Sequence, residues 1–136
     1  MLRLAAKKNN PWAMDRLACH YICNYLWEKG SAQQKYASKE QLLMGIMEGK
    51  ASLKMANFEI DDLVRICFPL SEAKKMLTLA DSNNYDRSTF HLAVNFYYDT
   101  PMYGILLEKA SRQGNVQAQE MTLKMVDEAI REWDES

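Results

Sequence analysis

Helix-breaking residues are scarce in this 136-residue sequence: it has five glycines and three prolines. Cysteine is scarce too, and odd in number at three. A chain of this size buries enough surface to fold without a staple, so free thiols in a reducing compartment are expected rather than a disulfide framework. No apolar run approaches the roughly 18 residues of a membrane span. The stretch from Met1 to Lys8 lacks the long apolar core of a secretory signal, so a cytoplasmic location is expected. Net charge is also missing: 17 basic against 18 acidic side chains leave −1. Nothing global therefore recruits nucleic acid or an anionic membrane. The one tight basic group, Arg3, Lys7 and Lys8, is too small for a nucleic-acid surface. β-branched residues do not cluster and no window alternates strictly between apolar and polar, so no sheet is expected.

What is present is helical spacing almost throughout. Leu2 to Lys8 reads as a short helix. Asn9 or Asn10 can cap a long one, with Pro11 at the first position, where its missing N–H costs nothing. That helix runs to Lys29 and stops at Gly30. Met14, Leu17, Ala18, Tyr21, Ile22 and Tyr25 form one stripe, and Trp12, Cys19, Cys23 and Trp27 a second. Arg16, His20 and Asn24 lie between them. A helix apolar on two sides is packed on two sides. Ser31 to Ala37 reads as a polar linker. Ser38 and Gln41 have capping-box spacing and open a helix from Lys39 to Glu48, ended by Gly49. Ala51 to Ala56 is ambiguous. Phe58 to Cys67 reads helical, and Phe68-Pro69 breaks it. Ser71 caps Glu72 to Ala80. Asp86 caps Arg87 to Tyr98, whose inner stripe is Phe90, Ala93, Val94 and Tyr97, leaving His91, Asn95 and Tyr98 outside. Met102 to Arg112 and Val116 to Trp133 complete the set. The expected fold is all-α: antiparallel helix hairpins stacked as a short α-solenoid or irregular helical bundle, one domain over residues 1–136.

Three phrases repeat along the chain: Ala5 to Ala18, Leu79 to Ala93, and Lys109 to Leu123. Each has alanine near a helix end, a Gly/Asn turn, then a helix with an early small residue. The span from Asn10 to Asn115 has room for three repeats of about 35 residues, a size typical of solenoids. Lys109-Ala110 with Gly114-Asn115 and Ala118-Gln119 resembles the signature of Sel-like repeats, relatives of the tetratricopeptide repeats. Ala5-Ala6 with Asn10 and Ala13 matches in part, Asn9 standing where the family has glycine. Ser82 to Asn84, with Leu92, Ala93, Tyr97 and Tyr98 downstream, is one residue out of register. Ser31 to Leu70 departs from the pattern, and the family's glycine-rich loop is missing between Tyr98 and Pro101. The resemblance implies α/α hairpins that scaffold protein–protein contacts without catalysis. Similar repeats occur in small bacterial immunity factors encoded beside secreted toxins. The function this implies is an immunity protein that binds and neutralises a cognate toxin, its partner a basic toxin domain.

No cofactor or metal is expected. Cys19 and Cys23 share a helix face, but His20 points away from them, and only Cys67 and His91 could complete a zinc set. Thiols in a packed helix are the simpler reading. No phosphate-cradling glycine loop and no nucleophile motif occurs. A general base at His91 would need a partner carboxylate and a pocket. A small helical enzyme or ligand binder with a cavity around His91 and the tyrosines Tyr97, Tyr98 and Tyr103 is the alternative function. A capping module of a larger scaffold, or a self-associating one, is a third. The residues expected to meet a partner are Asp86, His91, Asn95, Tyr98, Tyr103, Asp127 and Glu128.

Overall fold

The computed structural model describes residues 10–30, 35–56 and 59–135. Among them it has seven α-helices and no strand: α1 (Pro11–Glu28), α2 (Lys39–Met47), α3 (Ile60–Ile66), α4 (Phe68–Ser82), α5 (Asp86–Phe96), α6 (Met102–Arg112) and α7 (Val116–Glu135). One turn of 3-10 helix, Leu53–Ala56, lies between α2 and α3. The fold is all-α. The expected helix from Leu2 to Lys8, the repeat phrase around Ala5 and most of the expected linker lie outside the described residues.

The helix ends follow from local chemistry. The Asn10 side chain accepts from the Ala13 N–H at 3.0 Å, and Pro11 opens α1. The Ser38 hydroxyl accepts from the Gln41 N–H at 3.2 Å. Asn115 accepts from the Ala118 N–H at 2.8 Å. These satisfy donors that the first helical turn leaves without partners. Three helices end alike. Gly49, Asn84 and Gly114 each hold positive φ. The next residue's N–H then reaches back to the carbonyl of Gly45, Ala80 or Ala110, a helix-ending pattern that uses the left-handed position. These three carbonyl-bearing residues are small and buried, which lets the following segment approach closely.

Two expected boundaries are wrong. α4 begins at Phe68, not after Ser71. Cys67 is extended and interrupts the helix by itself, so Pro69 falls in a first turn, where its missing N–H breaks no bond. Ser71 is inside the helix and its N–H bonds to the Cys67 carbonyl. Asp86 does not cap α5: the N-cap position is Tyr85 and has no side-chain cap.

The core is one cluster running from Ala18 on α1 to Ala118 on α7. α1 lies mainly against α4 and α2; α5 packs between α4 and α6, and α7 rests on α6. Ile22, Leu26, Leu42, Leu70 and Leu77 are fully buried. Each such side chain stabilises the fold by about 1.5–3 kcal/mol. α4–α5 and α6–α7 are equivalent hairpins offset by thirty positions: Ala80, Asn84 and Ser88 correspond to Ala110, Gly114 and Ala118.

α5 differs most from expectation. Every residue from Ser88 to Phe96 is buried. His91 and Asn95 were expected on an outer face; they are 2% and 0% exposed. The helix is enclosed on all sides, and its polar residues are accommodated by specific partners rather than by water.

Candidate functional site

Two features carry chemistry: a polar cluster buried between α1 and α5, and the outer face of α7. The cluster centres on Asp15, Cys19 and His91. Asp15 and Cys19 are one turn apart on α1, and His91 faces them from α5. The His91 Nδ1 lies 2.8 Å from Asp15 Oδ2 and 3.6 Å from the Cys19 Sγ. Cys19 Sγ lies 3.9 Å from Asp15 Oδ1. The Ser88 hydroxyl donates to Asp15 Oδ2 at 2.8 Å. On the far side of the ring, His91 Nε2 lies 3.0 Å from the Met47 carbonyl, which can only accept. Nε2 therefore carries a proton. Burial alone would push His91 down, but the Cys19 sulfur and the Asp15 carboxylate, with their hydrogen bonds, hold it well above the ordinary imidazole range. The resulting state is an imidazolium donating from both nitrogens into a buried carboxylate and a carbonyl.

A cavity of about 200 Å³ adjoins this cluster, lined by Asp15, His91, Tyr85, Arg87 and Asn115 among others. Burial, and then the negative charge of Asp15, push the Tyr85 phenol up, so it is a neutral donor. Neither His91 nitrogen is open to a substrate in this arrangement, since each already has a protein partner. The cavity does not contain the tyrosine cluster. Tyr98 lines a different one with Lys54, Glu59 and Asp61. The single pocket expected around His91 and the tyrosines is therefore two separate places.

The residues expected to meet a partner do not form one surface. Asp86 is half-buried and accepts from the Asn115 side-chain amide at 3.1 Å, tying α5 to the start of α7. His91 and Asn95 cannot reach a partner from the interior. The Asn95 amide donates to the His91 carbonyl, and its oxygen accepts from the Leu53 N–H at 3.0 Å, anchoring the 3-10 turn. Tyr98 and Tyr103 are half-buried. Burial pushes both phenols up, Tyr98 further through Asp99, Glu59 and Asp61. Asp127 and Glu128 are exposed on α7.

Sequence reasoning missed Asp15 and Ser88. Asp15 precedes Cys19 by one turn on an apolar stripe, an unusual place for a carboxylate. Nothing in a single sequence matches it to residues more than seventy positions away. Cys19 and His91, both weighed as ligands from the sequence, do meet, but in the company of Asp15 rather than Cys23 or Cys67.

α7 supplies the other feature. Ala118 is buried against α6, but every side chain from Leu123 to Asp134 is exposed. Leu123, Val126, Ile130 and Trp133 recur at helical spacing and are 65%, 49%, 54% and 82% exposed. That spacing places them on one side of the helix. Asp127 and Asp134 follow Leu123 and Ile130 by four positions and so border the stripe. The helix holds six acidic and two basic residues. Helical spacing in the sequence places Ala118, Met121, Met125, Ala129 and Trp133 on one inward face; only Ala118 is buried and Met121 half-buried, and the other three are exposed. No helix among the described residues is long and apolar enough to cross a membrane. Comparison with protein-family models, with curated proteins and with solved structures finds no match.

Proposed function

We propose that this chain works in the cytoplasm by binding another protein, without catalysis, through the outer face of α7. The partner is a basic protein surface, and the specific form of the reading is an immunity protein that occludes a cationic toxin. One observation carries it: an apolar stripe of Leu123, Val126, Ile130 and Trp133 lies in water, bordered by acidic residues. Water-exposed apolar stripes of this length are uncommon on monomers and mark interaction surfaces. The central apolar residues would supply the buried contact, and the flanking carboxylates would speed encounter with a cationic surface. The Sel-like phrase at Lys109 to Gln119 supports the same reading, because it forms the hairpin that presents this face.

The test is a titration against the product of a toxin gene neighbouring this one, followed by calorimetry. A complex is expected, and Val126→Glu with Ile130→Glu abolishes it while far-UV circular dichroism stays unchanged. Co-expression protects cells from the toxin, and the double variant does not. Absence of a complex and of protection rejects the immunity form. Binding that survives the double variant rejects α7 as the face.

A further inference from the structure

The buried cluster has a second property beyond its hydrogen bonds. Asp15, Cys19 and His91 each offer one ligand atom, and these atoms all lie within 4.8 Å of one another. Oxygen, sulfur and imidazole nitrogen form a donor set suited to zinc, with bonds of about 2.0–2.3 Å. Tetrahedral bonds of those lengths put ligand atoms about 3.4–3.6 Å apart. The Cys19 Sγ to His91 Nδ1 separation is 3.6 Å, and Cys19 Sγ to Asp15 Oδ1 is 3.9 Å. Asp15 faces the sulfur with Oδ1 but His91 with Oδ2, at 2.8 Å, so binding requires the carboxylate to turn one oxygen toward the metal and to part from Nδ1 by about half an ångström.

The surroundings match what a metal site requires. A ligating histidine donates its other ring N–H to a carbonyl or carboxylate, which fixes the ring's tautomer and orientation. Here the Met47 carbonyl receives Nε2, leaving Nδ1 to face the other two ligands. Ligating carboxylates are themselves hydrogen-bonded, and Ser88 donates to Asp15. Asp15 and His91 also border the cavity, whose volume of about 200 Å³ is ample for a water molecule. Three protein ligands leave the fourth position of a tetrahedral zinc to water.

We propose that Asp15, Cys19 and His91 form a zinc site that clamps α1 to α5, its fourth position held by water from the adjoining cavity. Binding puts the metal in place of the proton on His91 Nδ1 and of any proton on the Cys19 sulfur, which leave to solvent through the cavity, so no redox step is involved. The site is independent of the α7 face, and either can fail without the other.

The test uses the full chain, reduced and stripped with a chelator, then titrated with Co²⁺ as a coloured substitute for zinc. A sulfur-to-cobalt charge-transfer band and the visible bands of a four-coordinate ion are expected at one metal per chain, both bleached by added Zn²⁺. Cys19→Ser loses the charge-transfer band with unchanged circular dichroism. A Cys23→Ser, Cys67→Ser double variant keeps it, which tests the assignment even where Cys19→Ser fails to fold. Ser88→Ala removes the group that orients Asp15 and weakens Co²⁺ binding about tenfold or more. Zinc raises the thermal midpoint of the wild-type chain and not of Asp15→Asn. No charge-transfer band at saturating Co²⁺, a band that survives Cys19→Ser, or a band lost with Cys23 and Cys67 overturns the proposal.

Discussion

Gly49 and Gly114 hold the same kind of backbone, with φ of +80° and +96°, but different surroundings. A Cβ on Gly114 meets nothing within 4 Å, whereas one on Gly49 would stand 2.2 Å from the Phe90 ring. Phe90 is 1% exposed, so the ring has to shift within the core. The left-handed conformation alone costs a side chain about 1–2 kcal/mol. Overpacking adds about 1–3 kcal/mol at Gly49. Urea denaturation is expected to show Gly49→Ala losing more stability than Gly114→Ala, the second losing only the backbone penalty. Equal losses would place Phe90 elsewhere. His91 gives the other prediction at this scale. It faces Asp15 and Cys19 from α1, the Met47 carbonyl from the end of α2 and Tyr85 from the turn before α5. Its folded pKa is raised, so the fold favours the charged ring. That stabilisation is complete below the unfolded value of about 6.5 and disappears as pH rises through the folded value. In the presence of a chelator, the urea midpoint should therefore fall as pH climbs above neutrality. His91→Gln should flatten this dependence.

At the scale of the element, α5 shows where a single sequence misleads. Its polar residues repeat with helical spacing, and such spacing normally marks a solvated face. The same pattern arises when each polar residue has a buried partner on another helix, and the partners of Ser88 and His91 are far away in sequence. Helix ends were legible for the opposite reason: caps and left-handed corners act within five residues, so Asn10, Ser38, Gly49, Gly114 and Asn115 announce themselves. Pro69 was misread because proline stops one helix and starts another with equal ease, and the extended Cys67 that decides between them leaves no signal. Of the residues expected to face a partner, Asp127 and Glu128 lie at the surface because α7 outruns its neighbour, while Asn95 does not. Asn95 can be tested directly. Asn95→Ala leaves the Leu53 N–H buried without an acceptor, at a cost of about 1–3 kcal/mol. A solvated asparagine would cost less than about 0.5 kcal/mol. Equilibrium unfolding separates the two.

At the scale of the whole molecule, α7 is the part that the rest does not account for. Its 20 residues span about 30 Å, while the 11 of α6 span about 16 Å. The two run antiparallel from the corner at Gly114, so the last turns of α7 extend past the start of α6. A helical segment of that length is marginal in water without packing. The core should therefore be indifferent to its loss: truncation after Val126 is expected to leave the thermal midpoint nearly unchanged, since every side chain removed from 127 to 134 is exposed. Hydrogen exchange in the free chain is expected to be slow at α1 and α5 and fast from Asp127 onward. On the proposed binding of a basic partner, protection should rise along Leu123 to Trp133 and little elsewhere. The association rate should fall steeply with added salt, because carboxylates border the stripe. Asp127→Lys with Asp134→Lys should slow association more than it speeds dissociation. Slow exchange through Trp133 in the isolated chain would mean that α7 is already covered, and would remove its outer face as the place where a partner sits.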